Sequence, residues 1–155
     1  MLRKLLTAAL IGFTTLAVSA QAFAQEDFVK KRKDLMQAQN AAIKAITKAV
    51  EDKDYATIAT KAKEIMGTTE KILTLFPRGS QGEKSRAHPD VWVKSDDFKN
   101  RAVNANKAAE ALSKAAASKN EAEVNAKVKD LGTNQREGAC GECHKVFRAD
   151  FRKDS

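Results

Sequence analysis

The sequence predicts an all-α protein, an antiparallel up-down-up-down bundle of four helices. Apolar residues recur in steps of three and four through four segments, which is the period of an amphipathic helix. No segment shows the strict alternation of apolar and polar residues that marks a strand. Both prolines fall in residues 77–94, so the chain has two short connections and one long one, a pattern that antiparallel bundles use.

The first element along the chain is a predicted signal peptide, residues 1–24. Arg3 and Lys4 precede an apolar run, and Ala22-Phe23-Ala24 has the small-x-small form that signal peptidase cleaves. The alternative is an uncleaved membrane anchor, but the run is short for a span and its alanines and threonines make it weakly hydrophobic. We therefore expect export, a mature chain of residues 25–155 forming one domain, and a signal segment that lies outside the bundle.

Two helices are predicted before the long loop. The first begins near Asp27, and the second begins at Asp52 or Asp54, because aspartate is a preferred N-cap residue. The residues predicted to face the core are Phe28, Leu35, Ile43, Ile46 and Val50 in the first helix, and Tyr55, Ile58, Ala62, Ile65, Thr69, Ile72 and Phe76 in the second.

Two further helices are predicted after the loop. Ser95 followed by two aspartates predicts an N-cap, and Asn120 with Glu123 predicts a capping box for a last helix that ends near Lys153. The alanines of the third helix either leave room for a flat cofactor or let helices pack closely, and both interpretations remain open. The predicted core residues are Phe98, Ala102, Ala105, Ala109, Leu112 and Ala116, then Val124, Val128 and Leu131.

The charge pattern argues against a nucleic-acid partner. The chain has 28 lysines and arginines against 20 acidic residues, a net charge of +8, but the excess is spread along the helices. Nucleic-acid binders concentrate such charge in dense blocks. A spread excess is typical of solvated helix faces, and it also suits acidic redox partners or anionic membrane surfaces.

The segment Cys140-Gly141-Glu142-Cys143-His144 carries the chemistry of this chain. It has the C-x-x-C-H pattern by which a c-type haem is attached, with each thiol forming a thioether to one vinyl group. The adjacent imidazole of His144 then becomes an axial ligand of the iron. These are the only cysteines in the chain, so we predict one covalent haem c held through Cys140 and Cys143.

Other interpretations of the cysteine pair are weaker. A thioredoxin-like redox couple follows a strand, and no strand pattern is nearby. A zinc site needs about four ligands, and the one other histidine, His88, is distant in sequence. A disulfide across two intervening residues would close a very short loop and stabilise little.

Three residues are candidates for the face of the iron opposite His144. His88 lies in the long loop and Met66 in the second helix, whereas Met36 lies in the first helix. If the first helix starts near Asp27, the last ends near Lys153 and their ends are flush, Met36 and His144 each lie nine residues from the same end. Both would then be roughly 14 Å up the bundle, which favours Met36.

The chain resembles the cytochromes c-prime, the four-helix-bundle c-type cytochromes that include low-spin, methionine-ligated relatives. Beyond the C-x-x-C-H, the resemblance rests on the order and spacing of three features across nearly the whole mature chain. They are the first-helix stretch Val29–Met36, with an arginine four positions before the distal residue, the stretch Pro89-Asp90-Val91-Trp92 followed by Phe98, and the pair Phe147 and Arg148 after the haem motif.

The resemblance implies two functions. The first is periplasmic electron transfer with soluble or membrane redox partners, the iron being bound by His144 and Met36, and the ending Leu75-Phe76-Pro77 of the second helix favours it. The alternative is a high-spin cytochrome that binds nitric oxide or carbon monoxide at a pocket capped by Met36. Arg32 and Arg148 are implied as further haem-binding residues, and a homodimer through the first two helices is implied as well.

Catalysis is not expected from the residues near Met36. A haem peroxidase needs a distal acid–base group, and the neighbouring Gln37 and Gln39 are poor proton shuttles.

The signal peptide can be tested directly. N-terminal sequencing of the exported, haem-loaded protein is expected to start at Gln25-Glu26-Asp27, because cleavage follows Ala24. An intact Met1 on that protein would contradict the prediction.

Overall fold

The fold is a bundle of α-helices, as the sequence predicts. The structure is a computed structural model that describes the backbone of residues 3–151 and the side chains of residues 25–150. Within these residues no strand occurs, and Ala87 and Arg148 form one isolated antiparallel bridge. The helices are α1 (Arg3–Glu51), α2 (Tyr55–Ile72), α3 (Asp90–Val93), α4 (Ser95–Ser118), α5 (Glu121–Leu131) and α6 (Gly138–Phe147), with short 3₁₀ turns at Leu73–Leu75 and Ala149–Phe151.

Short links make neighbouring helices antiparallel. Residues 52–54 join α1 to α2, and residues 119–120 join α4 to α5, with Lys53 and Lys119 in the left-handed conformation that turns the chain back. The helix α2 packs against both α1 and α4, and α4 in turn packs against α5 and α6. The four bundle positions are therefore α1, α2, α4, and α5 with α6.

Two of the three predicted N-caps are confirmed. Asp54 accepts a hydrogen bond from the Thr57 amide at 3.0 Å, and Asn120 accepts one from the Glu123 amide at 3.1 Å. The Ser95 cap is wrong, because Lys94 is the N-cap residue and no side chain caps α4. The short helix α3 runs almost directly into α4, so the backbone of Lys94 makes the turn that a capping side chain would otherwise stabilise.

The fourth bundle position differs from the prediction of one continuous helix. It is broken at residues 132–137, and α6 ends at Phe147, short of Lys153. Gly132, with a φ of +98°, ends α5 in a conformation that favours glycine. The flush-end assumption behind the height match was therefore wrong, although α1 and α6 do face a common cavity.

The first helix begins earlier than its predicted start near Asp27. It runs without a break from Arg3 through Glu51, so the predicted cleavage site after Ala24 falls inside a continuous helix. The side chains of the predicted signal segment lie outside the described residues. Among the described residues, no helix is both long enough and apolar enough to cross a membrane.

The apolar residues form two separate clusters. The core cluster lies between α1, α2, α4 and α5, and it includes Ile46, Ile58, Ile65, Leu112 and Leu131. The cavity cluster consists of Ile72, Val91, Phe98, Ala102 and Phe147.

The alanines of α4 serve both clusters. Ala109, Ala115 and Ala116 are buried in the core cluster, whereas Ala102 and Ala105 line a cavity. Close packing is therefore confirmed for one half of the helix, and room for a flat cofactor stays a prediction for the half that lines the cavity.

The outer face of α1 and α2 has no large exposed apolar side chain among the described residues. The exposed large hydrophobic residues are Val93, in α3, and Val103, in α4. The expected homodimer through the first two helices stays a prediction.

The packing of α4 predicts that substitutions at its buried and exposed positions change the free energy of unfolding by different amounts. Leu112→Ala is expected to lower the free energy of unfolding by about 2–5 kcal/mol, because Leu112 is fully buried and its removal leaves a cavity. Val103→Ala on the same helix should change it by about 0.5 kcal/mol or less, since Val103 is exposed. Urea unfolding of the purified protein measures both values, and equal effects would contradict this packing.

Candidate haem site

A cavity of about 330 Å³ lies between α1 and α6. Such a volume is within the range of roughly 300–1,000 Å³ found for small-molecule and cofactor sites. Every predicted site residue lines it, and they come from two different helices and the turn after one of them. They are Arg32 and Met36 from α1, Cys140, Cys143 and His144 from α6, and Arg148 just after α6.

The two cysteines lie one helical turn apart on α6, where the two clusters meet. Cys140 packs against the core cluster, and Cys143 packs against the cavity cluster. Both thiols are free, and burial raises the pKa of Cys140 to about 11 and that of Cys143 to about 12. A redox-active cysteine pair needs a lowered thiol pKa, so these values argue against a thioredoxin-like site.

A zinc site is also unsupported by the geometry. Within the described residues, no group of three or more His, Cys, Asp or Glu side chains is arranged to hold a metal ion. The cysteines instead face an apolar cavity, as thioether attachment to a flat macrocycle requires.

His144 lies on the cavity wall, close to Arg148. Burial is the main cause that lowers the pKa of His144, and the positive charges of Arg148 and Arg86 lower it further. The Gln135 backbone and the negative charge of Asp150 act in the opposite direction and raise this pKa. The lowered pKa favours the neutral imidazole, which is the form that ligates a metal.

Of the three distal candidates, Met36 alone lines the cavity. Met66 packs against the core cluster on α2. His88 lies in the long loop, where its Nδ1 accepts a hydrogen bond from the Asp90 amide at 3.2 Å. Met36 is half-buried and packs against the cavity cluster, as Cys143 does.

Arg32 is buried in the cavity wall one turn before Met36. Its Nε donates to the Leu75 carbonyl oxygen at 2.7 Å, and its Nη atoms donate to the hydroxyl groups of Ser80 and Ser85. The guanidinium carbon lies 4.2 Å from the centre of the Phe76 ring. Burial lowers the pKa of Arg32 to about 10, so the side chain remains charged at neutral pH.

Arg148 lies on the cavity wall just after α6, and neighbouring side chains fix its position. It contacts both carboxylate oxygens of Asp150, at 2.7 and 2.8 Å, and donates a further hydrogen bond to the Gln135 side chain. Backbone bonds between the long loop and the end of α6 stabilise this region, with His88 donating to the Phe147 oxygen and Ala149 donating to the Arg86 oxygen.

The residues present fit a haem. The walls are apolar, and three aromatic rings stack edge to face along them, with Phe98 between Phe76 and Phe147 at centre distances of 4.9 and 5.2 Å. No acidic residue is among the described residues that line the cavity, and four basic ones are. An apolar plane with two carboxylate groups at its edge, which is the form of a haem, suits this combination.

Several lining residues were not predicted from the sequence. Lys33, Gln39 and Ile43 lie three, three and seven residues from Met36. The helical period of α1 therefore places them on the same face of the helix as Met36. Arg86 and Gln135 lie in loops, where no periodic signal indicates the cavity.

The bundle and the C-x-x-C-H turn facing its internal cavity define a c-type cytochrome of the four-helix type. The family model described as Cytochrome C' matches residues 27–148. The chain is 34% identical to the cytochrome c' of Rhodospirillum rubrum over 97% of its own length and all of that protein. This chain belongs to the cytochrome c' family, whose members bind one covalent haem c.

Two further similarities agree with this assignment. The chain is 35% identical to a cytochrome c-554 of Cereibacter sphaeroides, over 64% of this chain and 65% of that protein. Its fold matches the nitric oxide complex of a mutant cytochrome c prime from Alcaligenes xylosoxidans with a TM-score of 0.68 and 23% identity, over 80% of this chain and 95% of the other.

Covalent attachment can be tested by extraction. Acid–acetone is expected to leave the haem on the protein, and the mass of the mature protein should exceed that of its polypeptide by one haem, because two thioethers hold it. The double variant Cys140→Ala, Cys143→Ala should release its haem into the solvent. Haem that washes out of the wild type, or that stays on the double variant, would contradict the prediction.

Proposed function

We propose that the protein is a periplasmic electron carrier whose haem iron is bound by His144 and Met36. The observation that carries this proposal is the position of Met36, which lines the same cavity as His144 from the opposite helix. A histidine–methionine ligand pair is typical of cytochromes that transfer electrons, and the haem supplies the iron that changes oxidation state.

In this proposal the chain contributes the two iron ligands and holds them on rigid helices. When bound to the iron, the thioether of Met36 would be a weak donor that favours the ferrous state, and the imidazole of His144 would be a stronger donor. Because each ligand comes from a helix that packs into the bundle, little has to move when the oxidation state changes.

The basic residues add a fixed positive field. Arg32 is charged, buried and held by three acceptors, so its guanidinium cannot turn away from the cavity. A fixed positive charge near the iron favours the reduced state and offsets the carboxylate groups of the haem.

The proposal extends to location and partners. The predicted signal peptide, residues 1–24, directs export, and residues 25–155 form the haem-binding domain. The redox partners are soluble or membrane proteins of the periplasm, and the basic rim residues Lys33 and Arg86 favour partners with an acidic surface.

A second candidate function is the binding of nitric oxide or carbon monoxide. The full-length similarity to a cytochrome c', and the nitric oxide complex of the structural relative, favour it. In this case Met36 is not a ligand but caps the cavity, and a diatomic gas displaces its flexible side chain.

A single substitution separates the two candidates. If Met36 binds the iron, Met36→Ala is expected to lower the reduction potential and to raise carbon monoxide affinity by at least about tenfold, because the competing ligand is gone. Optical titration with carbon monoxide and a spectroelectrochemical titration measure the two quantities.

The matched control is Met66→Ala, which removes the same side chain from the core cluster of the neighbouring helix. It should lower the free energy of unfolding and leave the potential and the gas affinity unchanged. A wild-type ferric spectrum that is purely high-spin at neutral pH, together with only faster gas binding in Met36→Ala, would establish the second candidate instead.

A further inference from the structure

Two loops contribute to the cavity wall, and they are held in different ways. The loop of residues 132–137 packs tightly against the C-x-x-C-H turn, because a Cβ atom at Gly141 would overlap the carbonyl group of Arg136. A Cβ atom at Gly132 would likewise overlap the Glu137 carbonyl oxygen. Backbone packs directly on backbone at both places, so this loop has no room to shift.

The longer loop, residues 77–88, is held to α1 mainly by polar groups. It contains no large aliphatic or aromatic side chain, and most of its residues are exposed. Arg32 on α1 donates hydrogen bonds to the hydroxyl groups of Ser80 and Ser85. The position of the loop on α1 therefore depends on one buried guanidinium and the hydroxyl groups that it binds.

The same loop is also attached to the end of α6. The His88 amide donates to the Phe147 carbonyl oxygen at 2.9 Å. The Ala149 amide donates to the Arg86 carbonyl oxygen at 3.0 Å. Between the attachments to α1 and α6, residues 85–87 line the cavity. The loop therefore spans the cavity wall from one helix to the other.

We propose that residues 77–88 form a lid over the cavity and that Arg32 is the latch that holds the lid closed. When the lid is open, molecules larger than a diatomic gas reach the cavity, and when it is closed they do not. The lid follows from the contacts of the chain itself, whereas its role in guarding the iron rests on the proposed function.

The free energy of opening this lid is expected to be small compared with that of global unfolding. Segments with few buried apolar contacts open locally, and the lids of ligand sites are drawn from such segments. The hydrogen bond from Arg32 to Ser80 is buried, with Ser80 only 2% exposed, so water cannot replace it while the lid is closed. A hydrogen bond to a charged group of this kind makes opening about tenfold or more rarer.

Hydrogen exchange in the haem-loaded full chain tests the latch. Ser80→Ala removes the buried acceptor of Arg32 at a residue that does not line the cavity. The amides of His88 and Ala149, at the far end of the lid, are expected to exchange about tenfold faster or more in this variant, because the lid opens as one unit. The amide of Ile65, in the core cluster, should keep its exchange rate.

The matched control is Lys84→Ala in the same loop. Lys84 pairs with Glu26 of α1 at 3.3 Å, but both side chains are exposed, so the pair contributes little to closure. Exchange at His88 and Ala149 should therefore stay at the wild-type rate in this variant.

Access to the iron is measured in a Met36→Ala background, where no methionine competes for the sixth position. Adding Ser80→Ala is expected to raise the association rate of imidazole with the ferric protein by about tenfold or more, because imidazole enters only when the lid is open. The association rate of carbon monoxide with the ferrous protein should stay nearly unchanged, since a diatomic gas passes between side chains while the lid is closed.

Four results would overturn parts of the proposal. Exchange at His88 and Ala149 that does not respond to Ser80→Ala would overturn the latch. In the wild type these two amides should exchange faster than the Ile65 amide, and equal protection would overturn the lid even if the variant does not fold. An equal rise in both association rates would overturn the control of access. A Met36→Ala protein that binds no imidazole would contradict the proposed function, while the exchange rates would still decide whether the lid exists.

Discussion

The bundle has a cavity in its interior, and the rest of the structure depends on this cavity. Its buried apolar residues form two clusters, and the cavity beside the second cluster separates α1 from α6. Tight packing throughout is the rule in protein interiors, so a lined cavity of this kind is unstable unless something fills it. In the proposed function a covalently attached haem supplies that filling, and its binding free energy would add to the stability of the folded chain.

The same cavity explains why one arginine, Arg32, is buried and another, Arg148, is half-buried. Arg32 and Arg148 lie at separate places on the wall, and each is fixed by neighbours that satisfy its hydrogen bonds. A buried guanidinium without partners would be costly, whereas one with fixed partners is a stable source of positive charge. The long loop thus helps to fix the positive charge of Arg32 at the cavity wall, although the loop and Arg32 are far apart in the sequence.

Much of the fold could be predicted because helical periodicity is a local property. The residues Ile58, Ala62, Ile65 and Ile72 were predicted to face the core from their spacing alone, and all are buried. The caps at Asp54 and Asn120 follow from the chemistry of short polar side chains. The break in the last helix was also marked in the sequence, since Gly132 and Gly138 bracket a polar stretch, but the periodic pattern on either side hid it.

The site was predictable in part, for a different reason. The C-x-x-C-H motif is specific by itself, and the helical face of Met36 follows from the register of α1. Arg86 and Gln135 could not be predicted, because their positions depend on where two loops meet the end of α6. Such long-range contacts are a result of packing and have no signal in local sequence.

The central claim is that the cavity between α1 and α6 holds a haem iron with one ligand from each helix. X-ray absorption at the iron edge of the ferric wild-type protein tests it most directly, because sulfur and nitrogen ligands scatter differently. The account predicts one sulfur neighbour, from Met36, beside the nitrogen ligands of the haem and His144, and the loss of that sulfur in Met36→Ala. An iron surrounded by nitrogen alone in the wild type, or a sulfur signal that persists in Met36→Ala, would contradict it.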